Sequence, residues 1–508
     1  MINFTPIVRP LFARKVRAVN GFIYVNELRR VQNEILPALL HYAKSTVIGE
    51  KYDFNNIKSY SDYRKKIPVS EYPDIRPMVD RMVSGERDIL WPGRCIRFAQ
   101  SSGTSDGKSK YIPITEHSLK LNHYAGASYS VAFYLNQVPD SKLFGGKCMI
   151  LGGSFANEVR DLPGDVRVGD LSATLIDRIN PLVNIFRVPP KNIALMADWT
   201  EKLPKLVEAS LRQDITNISG VPSWFLTVLR KAIETAGAKT IHDIWPNLEV
   251  FFHGGISFEP YRAQYNAITD PAKMHYLENY NASEGFFAVQ DCFEIKAMRL
   301  LPNIGVFYEF VPLDQVGEPF PESLGAWEVE PGKTYALIIT SCNGLWRYAL
   351  GDTVRIESIE PLRLSIAGRT KCFINAFGEE LMVHNAEAAM TAACHSTGAH
   401  VKDYTAGPVY TSSGERGHHR WVIEWDVPPG SIETFAKELD RNLQKVNSDY
   451  QAKRTGDIFL AAPDIVTVPT GTFDRWLGST GKLGGQRKVP RLSNTPDIIN
   501  SIIENYQP

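Results

Sequence analysis

Short apolar runs that alternate with amphipathic segments constrain the fold of this chain more than any other feature. The runs include "KCMILGG", "ITNISGVPS", "LEVFFHGG" and "MHYLENYNASEG", and they are separated by segments such as "DWTEKLPKLVEASLRQ" and "WFLTVLRKAIETAG". The runs are typical of strands, whereas the separating segments repeat their apolar residues at helical spacing. Strands that alternate with helices predict an α/β architecture.

The segments on either side of this alternation have other patterns. "LRRVQNEILPALLHYAKSTV" and "EHSLKLNHYAGASYSVAFYLNQV" predict helices, and residues 51–95 between them predict only short, punctuated segments. Residues 300–360 predict consecutive strands with tight turns. From about residue 380 the pattern is α+β, with helices at "HNAEAAMTAACHSTG" and "SIETFAKELDRNLQKVNSDY" and strands at 409–413 and "HHRWVIEWDV". We therefore predict two domains, residues 1–377 and 378–508.

Composition excludes several classes of protein. Lys and Arg together number 56, as do Asp and Glu, so no global charge favours nucleic acid or an anionic membrane. The 6 cysteines form no C-x-x-C pair, which argues against a zinc ribbon or a disulfide scaffold. No apolar run approaches the roughly 18 residues of a membrane span, and the N-terminus does not resemble a signal peptide. We expect a cytoplasmic protein.

The stretch "SSGTSDGKSK", Ser101 to Lys110, has the composition of a phosphate-binding loop. A Walker A loop needs four residues between its first glycine and its Gly-Lys pair, but only three lie between Gly103 and Gly107. The preceding "RCIRFAQ" is also short and carries two arginines, so we exclude a Walker A loop. The hydroxyl groups and glycines still suit phosphate, and a polar surface loop is the alternative.

Three further stretches contain side chains that could bind a nucleotide or a metal ion. "ENYNASEGFFAVQD" places Tyr280, Ser283 and Glu284 at a turn after a predicted strand, where a carboxylate could hold Mg²⁺ beside phosphates. "LWRYALGDTV" places Asp352 at the end of a strand, where an acidic side chain can accept from ribose hydroxyls. "GGQRKVPRLSN" presents a basic loop that contains Lys488. Taken singly, these residues could equally be a core tyrosine, a surface glutamate, a turn aspartate and a solvated lysine.

In order and spacing, "SSGTSDGKSKYIP", "YNASEG", "YALGDTV", "AGRTKCFINAFGEE" and "GGQRKVPRLSN" resemble the motifs of the adenylate-forming enzymes. Within that superfamily the chain is most similar to the Gretchen Hagen 3 family of acyl acid-amido synthetases, and to its bacterial branch. The resemblance covers nearly the whole chain. It implies a large N-terminal domain of sheets flanked by helices with a β-barrel-like part, and a smaller, mobile α+β C-terminal lid domain.

The resemblance also implies a role for each matching residue. ATP phosphates would lie against the hydroxyl loop, adenine against the glycine pair and the "YNAS" segment, and ribose against the aspartate and arginine. The implied catalytic residues are Glu284, as the Mg²⁺ ligand, and Lys488, which would reach the site when the lid closes. The implied ATP-binding residues are Ser101, Ser102, Gly103, Thr104, Gly254, Gly255, Tyr280, Asn281, Ala282, Ser283, Asp352 and Arg369.

One departure from the superfamily pattern concerns an arginine. Many members have arginine two residues before the Gly-Asp pair, where this chain has Ala349, and Arg347 lies two positions earlier. For the acid, position alone suggests a pocket on the helix after the hydroxyl loop and around "GVPSW". The predicted pocket residues are Leu121, Tyr124, Ser128, Val221 and Trp224. Their apolar and aromatic character suits a hydrophobic or aromatic carboxylate.

These inferences favour an ATP-dependent ligase that joins a carboxylic acid to an amine such as an amino acid, with ATP and Mg²⁺ as cofactors. The alternatives are an acyl-CoA synthetase, with a thiol as acceptor, and a non-catalytic nucleotide-binding protein that retains the fold. We expect small-molecule partners, neither nucleic acid nor a membrane, and a monomer.

Overall fold

A computed structural model gives the fold of the chain. It describes residues 2–101, 110–155, 162–255, 258–369, 373–374, 379, 381–409, 417–447, 450–451, 454, 460–479, 489–493 and 495–506. The chain forms two compact units, Met1–Leu350 with Arg355–Ser365, and Gly351–Val354 with Ile366–Pro508. The division after Ser365 precedes the predicted domain boundary after residue 377, which stays a prediction.

The helices of the first unit pack on a large sheet and on a small three-stranded one. They are α1 (Thr5–Asn20), α2 (Val25–Ala43), α3 (Val47–Lys51), α4 (Tyr60–Lys66), α5 (Tyr72–Val83), α6 (Tyr124–Gln137), α7 (Leu171–Arg178), α8 (Pro181–Asn184), α9 (Lys191–Ala194), α10 (Trp199–Leu211), α11 (Pro222–Ala236) and α12 (Glu259–Ile268). A π-helical segment, Ser118–His123, leads directly into α6.

The strands that begin in the first unit are β1 (Arg97–Ser101), β2 (Lys110–Pro113), β3 (Lys147–Ile150), β4 (Arg167–Gly169), β5 (Arg187–Val188), β6 (Ile215–Gly220), β7 (Val250–Gly254), β8 (His275–Ala282), β9 (Gly285–Val289), β10 (Met298–Leu300), β11 (Val306–Pro312), β12 (Leu324–Gly325), β13 (Thr334–Ser341), β14 (Leu345–Ile359) and β15 (Leu362–Arg369). In the described part of the chain, the large sheet has the order β12-β11-β13-β14-β15-β10-β9-β8-β7-β6-β3-β5, and the small sheet has the order β2-β1-β4.

Five neighbouring strands of the large sheet, β5, β3, β6, β7 and β8, are parallel. Numbered along the chain, their spatial order is 2-1-3-4-5, because the chain places β5 on one side of β3 and the later strands on the other. In sheets of this kind a crevice opens beyond the carboxyl ends of two neighbouring strands, at the point where the order in which the chain adds strands to the sheet reverses. The fold therefore predicts a ligand crevice between the ends of β3 and β6.

Local sequence explains the elements that flank this crevice. The interior strands β6 and β7 are largely buried, as expected for parallel strands covered on both faces, and Ile218 and Phe251 belong to the same core as α10–α12. Helix α11 begins at Pro222, where a missing N–H group costs nothing, and ends at Gly237 with φ 62°. Helix α11, which directly follows β6, thus starts at the crevice edge.

The second unit is α+β. Its elements are β16 (Phe373–Ile374), β17 (Leu381–Met382), α13 (Val383–Thr397), β18 (His400–Val409), β19 (His418–Val427), α14 (Ile432–Val446), β20 (Asp464–Val468), α15 (Thr472–Ser479) and α16 (Asp497–Tyr506). Strand β19 pairs antiparallel with β18 and parallel with β20. Trp421 and Phe435 lie in one core that β18, β19, α13 and α14 share. A buried hydrogen bond joins His419 Nε2 and Glu379 Oε1 at 2.7 Å.

The α/β fold class is confirmed, as are the predicted strands of residues 300–360 and the helices now labelled α2, α13 and α14. The strands of residues 300–360 continue the large sheet. Two elements differ from the predictions. Helix α5 forms within the "punctuated" segment, because Pro73 lies in its first turn and a capping box joins Glu71 to Asp74. Strand β18 begins at His400, well before the predicted 409–413, of which 410–413 lie outside the described residues.

No helix in the described part of the chain combines the length and the apolar character needed to cross a bilayer.

Candidate active site

The hydroxyl loop joins two paired strands. Strand β1 ends at Ser101 and β2 begins at Lys110, and these two residues are register partners in an antiparallel pair. Ser102, Gly103 and Thr104 lie outside the described residues, as does the side chain of Ser101. On its other side β1 pairs with β4 in parallel, with Ala99 opposite Gly169. The carboxyl ends of β1 and β4 therefore lie side by side where the loop begins.

The "YNASEG" motif forms the tip of a hairpin. Ala282 at the end of β8 faces Gly285 at the start of β9, so Ser283 and Glu284 make a two-residue turn. A register shift between Tyr280 and Asn281 marks a bulge just before the turn, a feature that often re-aims side chains beside functional sites. Ser283 and Glu284 are both buried. The hairpin thus places a hydroxyl and a carboxylate together in a shielded turn.

Asn122, in the π-helical segment, holds this turn from one side. Its Oδ1 accepts from the backbone N–H of Phe286 at 2.7 Å, and its Nδ2 donates to the carbonyls of Phe286 and Ile304 at 3.0 and 3.2 Å. Gly126 allows the helix to approach, because a Cβ there would lie 2.4 Å from the ring of Phe286. The buried amide fixes the backbone two residues beyond Glu284.

Asn343 holds the turn from the other side. Its Nδ2 donates to the Glu284 carbonyl at 3.2 Å, and its Oδ1 accepts from Ser341 Oγ at 2.5 Å. The neighbouring Cys342 carbonyl accepts from Thr115 Oγ1 at 2.8 Å. Since Thr115 follows β2, the chain that leaves the hydroxyl loop contacts the residue beside Asn343 and then supplies Asn122. Sequence reasoning did not identify Asn122 or Asn343, because these contacts join distant parts of the chain.

Gly254 and Gly255 follow the strand next to the hairpin. Strands β7 and β8 are parallel, with Gly254 opposite Asn279. A Cβ on Gly254 would lie 2.4 Å from the Asn279 carbonyl oxygen and 2.7 Å from Asn281 Oδ1, and Gly255 has φ 82°. Only glycine fits both demands without strain. The structure therefore brings together the predicted glycine pair and the predicted Asn281–Glu284 segment at one edge of the sheet.

Two residues beside this edge are buried in the core. The Tyr280 ring packs edge-on against Phe287, with ring centroids 5.1 Å apart, and is buried. His253 stacks on Phe258 with centroids 4.4 Å apart. Burial, with a smaller effect of Arg262, lowers the pKa of His253 to about 3, so the imidazole is neutral at physiological pH. Both rings pack in the core and stabilise the strands that carry the predicted ligand-binding residues.

The predicted acid pocket draws on two elements. Tyr124 Oη donates to the Leu175 carbonyl at 2.9 Å, and Ser128 Oγ donates to the Ala125 carbonyl at 2.6 Å. Leu121 has a side chain that is 51% exposed. Val221 and Trp224 follow β6, at the crevice that the strand order predicts, and Trp224 lies 5.8 Å from Trp199 between ring centroids.

The remaining predicted residues belong to the second unit. Asp352 lies in β14 and is buried, and Arg369 is the last residue of β15, with its side chain outside the described residues. Lys488 also lies outside the described residues. Arg347, in the first unit, is fully buried and pairs with Glu309 at 3.1 Å, and it donates to the carbonyl of Ile67 at 2.7 Å. These contacts give Arg347 a structural role in the core of the first unit.

Thiol and carboxylate groups determine which nucleophile and metal chemistry is available here. Burial raises the pKa of Cys95 to about 11 and of Cys148 and Cys342 to about 12, so these thiols are protonated at neutral pH. Among the described residues, no three His, Cys, Asp or Glu side chains gather into a metal cage. Mg²⁺ with a nucleotide needs only one or two carboxylates, because phosphates and water complete its shell. The buried carboxylate of Glu284 fits that requirement.

A 2-1-3-4-5 parallel sheet, a close-packed glycine pair and a carboxylate turn, followed by a smaller α+β unit, agree with the architecture that the resemblance to the adenylate-forming enzymes implies. Models of the "GH3 family N-terminal domain" match residues 24–203 and 166–274, the "GH3 family central domain" matches 299–369, and the "GH3 family C-terminal domain" matches 384–497. The chain belongs to the GH3 family.

Individual relatives span almost the same length. Indole-3-acetic acid-amido synthetase GH3.4 of Arabidopsis thaliana is 22% identical over 94% of this chain and 92% of its own. Jasmonoyl--L-amino acid synthetase JAR4 of Nicotiana attenuata is 21% identical over 95% of each. Among solved structures, GH3.15 acyl acid amido synthetase has TM-score 0.76 at 18% identity, over 95% of this chain and 94% of that chain. A 2-hydroxyisobutyryl-CoA ligase has TM-score 0.61 at 12% identity, over 94% and 92%.

Proposed function

We propose that this chain is an ATP-dependent acyl acid-amido synthetase, which activates a carboxylic acid as an acyl-adenylate and transfers the acyl group to an amine. The buried Ser283–Glu284 turn, held by Asn122 and set beside the Gly254–Gly255 pair, is the observation that carries the proposal. Membership of the GH3 family supports it, since relatives of nearly equal length are named as amido synthetases.

The first half-reaction makes the acid reactive. A carboxylate oxygen attacks the α-phosphorus of ATP, the bond to the β,γ-pyrophosphate breaks, and acyl-AMP and pyrophosphate result. Catalysis here depends on positioning and on stabilising the charge of the phosphoryl transition state. We propose that the hydroxyl groups of Ser101, Ser102 and Thr104 donate to phosphate oxygens, while Gly103 lets the backbone approach.

The second half-reaction forms the amide. The amine nitrogen attacks the acyl carbonyl, AMP leaves, and the nitrogen loses a proton. No enzyme nucleophile is needed, which agrees with the protonated state of the thiols of Cys95, Cys148 and Cys342. AMP and pyrophosphate are the expected nucleotide products.

The other assignments follow the family resemblance. We propose that Gly254, Gly255 and the Tyr280–Ser283 segment border adenine and the α-phosphate, and that Asp352 and Arg369 bind ribose. Glu284 would hold Mg²⁺, which when bound neutralises phosphate charge. Lys488 would add positive charge as pyrophosphate departs. The residues proposed to line the acid pocket are Leu121, Tyr124, Ser128, Val221 and Trp224.

The acid and the setting are further proposals. Val221 and Trp224 at the crevice edge favour a hydrophobic or aromatic carboxylate. Relatives carry indole-3-acetic acid and jasmonoyl in their names, and both acyl groups are largely apolar. We also propose a cytoplasmic monomer of the family's bacterial branch, with an amino acid as acceptor.

Pyrophosphate exchange tests the proposal directly. Labelled pyrophosphate should enter ATP only when a suitable carboxylic acid is present, and a screen of aliphatic, aromatic and indolic acids would find it. The end-point assay adds a mixture of amino acids and identifies the product by mass spectrometry. Release of ADP would remove the adenylation mechanism, and a thioester formed with CoA but no amide would make the chain an acyl-CoA synthetase.

A further inference from the structure

The segment after β3, Leu151–Ser154, lies at the predicted crevice and is held by side chains from two other elements. We call residues 152–154 the switch-point loop. The Leu151 N–H donates to the Ser219 carbonyl of β6 at 3.3 Å, so the loop begins beside the end of that strand. A Cβ on Gly220 would lie 3.5 Å from the Leu151 Cβ. The loop therefore directly adjoins Val221, a residue of the proposed acid pocket.

Lys202 of α10 holds one end of this loop. Its Nζ donates to the Gly152 carbonyl and, at 3.3 Å, to the Met196 carbonyl. The ammonium also lies 5.6 Å from the ring centroid of Trp199, which packs against Trp224. Lys202 is only 2% exposed. One buried lysine thus contacts both the switch-point loop and the aromatic pair at the acid pocket.

Asp170 and Ser172 hold the other end. The Ser154 N–H donates to Asp170 Oδ2 at 2.8 Å, and the Asp170 N–H donates back to the Ser154 carbonyl at 2.9 Å. The Gly153 N–H donates to Ser172 Oγ at 2.8 Å. Asp170 directly follows β4, the parallel neighbour of β1. The switch-point loop is therefore tied to the end of β4, which lies beside the end of β1 where the hydroxyl loop begins.

The glycines of the loop leave no space for a side chain. A Cβ on Gly153 would lie 1.8 Å from Asp170 Oδ2, and a Cβ on Gly152 would lie 2.3 Å from Ile176 Cδ1. The backbone is thus closely packed between α7 and the lysine. A small displacement of any of these partners must move the loop, because packed interiors do not deform freely.

A lysine is a costly residue for this position. Within the described residues it has no ion-pair partner, and burial lowers the pKa of Lys202 to about 8, with Asp170 acting weakly in the opposite direction. A methionine would fill the same space without a desolvation cost. A purely structural role would therefore be better served by an apolar side chain, whereas the two carbonyls need a long cationic donor.

Resting on the proposed function, we propose that Lys202 is a positioning residue for the carboxylic acid. By holding the Gly152 carbonyl it fixes the switch-point loop against the end of β6, and the loop then forms the wall of the crevice that sets the affinity for the acid. The adenine contacts proposed at β7 and β8 lie on the other side of β6. Loss of the lysine should therefore affect the acid more than ATP.

Lys202→Met tests this assignment in the pyrophosphate-exchange assay, with separate titrations of the acid and of ATP. We expect the KM for the acid to rise at least about tenfold, the size of one lost charge-assisted hydrogen bond, while the KM for ATP changes less than about threefold. Lys202→Arg, which retains the donors, should recover part of the difference. Lys205→Met on the exposed face of α10 is the matched control and should behave as wild type.

Gly153→Ala gives a second test if Lys202→Met does not fold. Its Cβ displaces Asp170 and moves the loop without removing the lysine, whereas Gly164→Ala, which has open space, should have no effect. If the KM for the acid and the KM for ATP rise equally, or if the KM for the acid does not change, the inference is overturned. Wild-type protein that shows no exchange with any acid would instead overturn the proposed function, and the role of Lys202 would fall with it.

Discussion

At the scale of single residues, Asn122 shows how one buried amide can determine a site. Two of its three hydrogen bonds reach the backbone of Phe286, just beyond the turn that carries Glu284, and the third reaches Ile304; these partners are 164 and 182 positions away in the chain. No sequence pattern identifies such a residue, because the partner groups are backbone atoms and carry no residue type. The motif "YNASEG" is visible in the sequence, but the group that orients it is not.

Asn122→Asp tests this support with a side chain of nearly equal size. The carboxylate cannot donate to the carbonyls of Phe286 and Ile304, so the turn loses its fixed position and two buried acceptors lose their partner. We expect the rate of pyrophosphate exchange to fall about 10- to 100-fold, which corresponds to roughly 1–3 kcal/mol. Steady-state exchange with saturating acid and ATP measures the effect.

The matched control is Asn136→Asp, which makes the same chemical change at an exposed position of α6. It should leave exchange and thermal stability unchanged. If Asn122→Asp folds with the wild-type melting temperature and exchanges pyrophosphate at the wild-type rate, the amide does not position Glu284.

Two buried histidines predict how stability depends on pH. Burial lowers the pKa of His123 to about 4 and of His253 to about 3. Each group therefore binds its proton more readily in the unfolded chain, so stability is complete above about pH 6.5 and declines as the pH falls toward these values. Each histidine adds a slope of up to about 1.4 kcal/mol per pH unit.

Thermal unfolding between pH 8 and pH 4.5 checks this prediction. His123→Gln should reduce the loss of melting temperature on acidification, whereas His41→Gln, at an exposed position of α2, should not. An acid response that is identical in wild type and His123→Gln would contradict it.

At the scale of elements, the sequence predicted the type of secondary structure better than the residues at which each element begins and ends. Short apolar runs are sufficient to predict the strands of the large sheet, and apolar residues at helical spacing are sufficient to predict the helices α2, α13 and α14. Helix α5 was not predicted because its two prolines are typical of residues that interrupt a helix, although one of them lies in the first turn, where a helix tolerates proline. The pairing of β1 with β4, which brings Asp170 toward the hydroxyl loop, joins distant segments and has no local signal.

The contact between β7 and β8 depends on Gly254. In Gly254→Ala the new Cβ would lie 2.4 Å from the Asn279 carbonyl oxygen, and a backbone group cannot move aside as a flexible side chain can. The two strand ends must separate, and with them the glycine pair and the Asn281–Glu284 segment. We expect the KM for ATP to rise at least about tenfold with a smaller effect on the acid, as measured by exchange with each substrate varied in turn.

Gly164→Ala serves again as the control, since no atom lies within 4 Å of its added Cβ. A Gly254→Ala variant with the wild-type KM for ATP would show that this edge does not bind the nucleotide. A larger effect on the acid than on ATP would place the acid, not adenine, beside β7.

At the scale of the whole molecule, the strand order connects observations that are separate in the sequence. The 2-1-3-4-5 arrangement places the ends of β3 and β6 at a crevice and the ends of β7 and β8 beside it. Alternation of strands and helices predicted the class, but the side of β3 on which each strand is added cannot be read from periodicity. The role inferred for Lys202 therefore required the structure, whereas the hydroxyl loop and "YNASEG" did not.

Lys488 belongs to the sequence range of the second unit, and the role proposed for it concerns only one of the two half-reactions. Adenylation concentrates negative charge on the departing pyrophosphate, and a cation lowers the energy of that transition state. Amide formation from acyl-AMP releases no pyrophosphate, so it does not need this cation.

Lys488→Ala should therefore reduce pyrophosphate exchange at least about 100-fold and leave amide formation from supplied acyl-AMP within about threefold of wild type. Lys482→Ala, in the same segment, is the control. Equal losses in both half-reactions would assign Lys488 to folding or to nucleotide binding, and undiminished exchange would remove it from the mechanism.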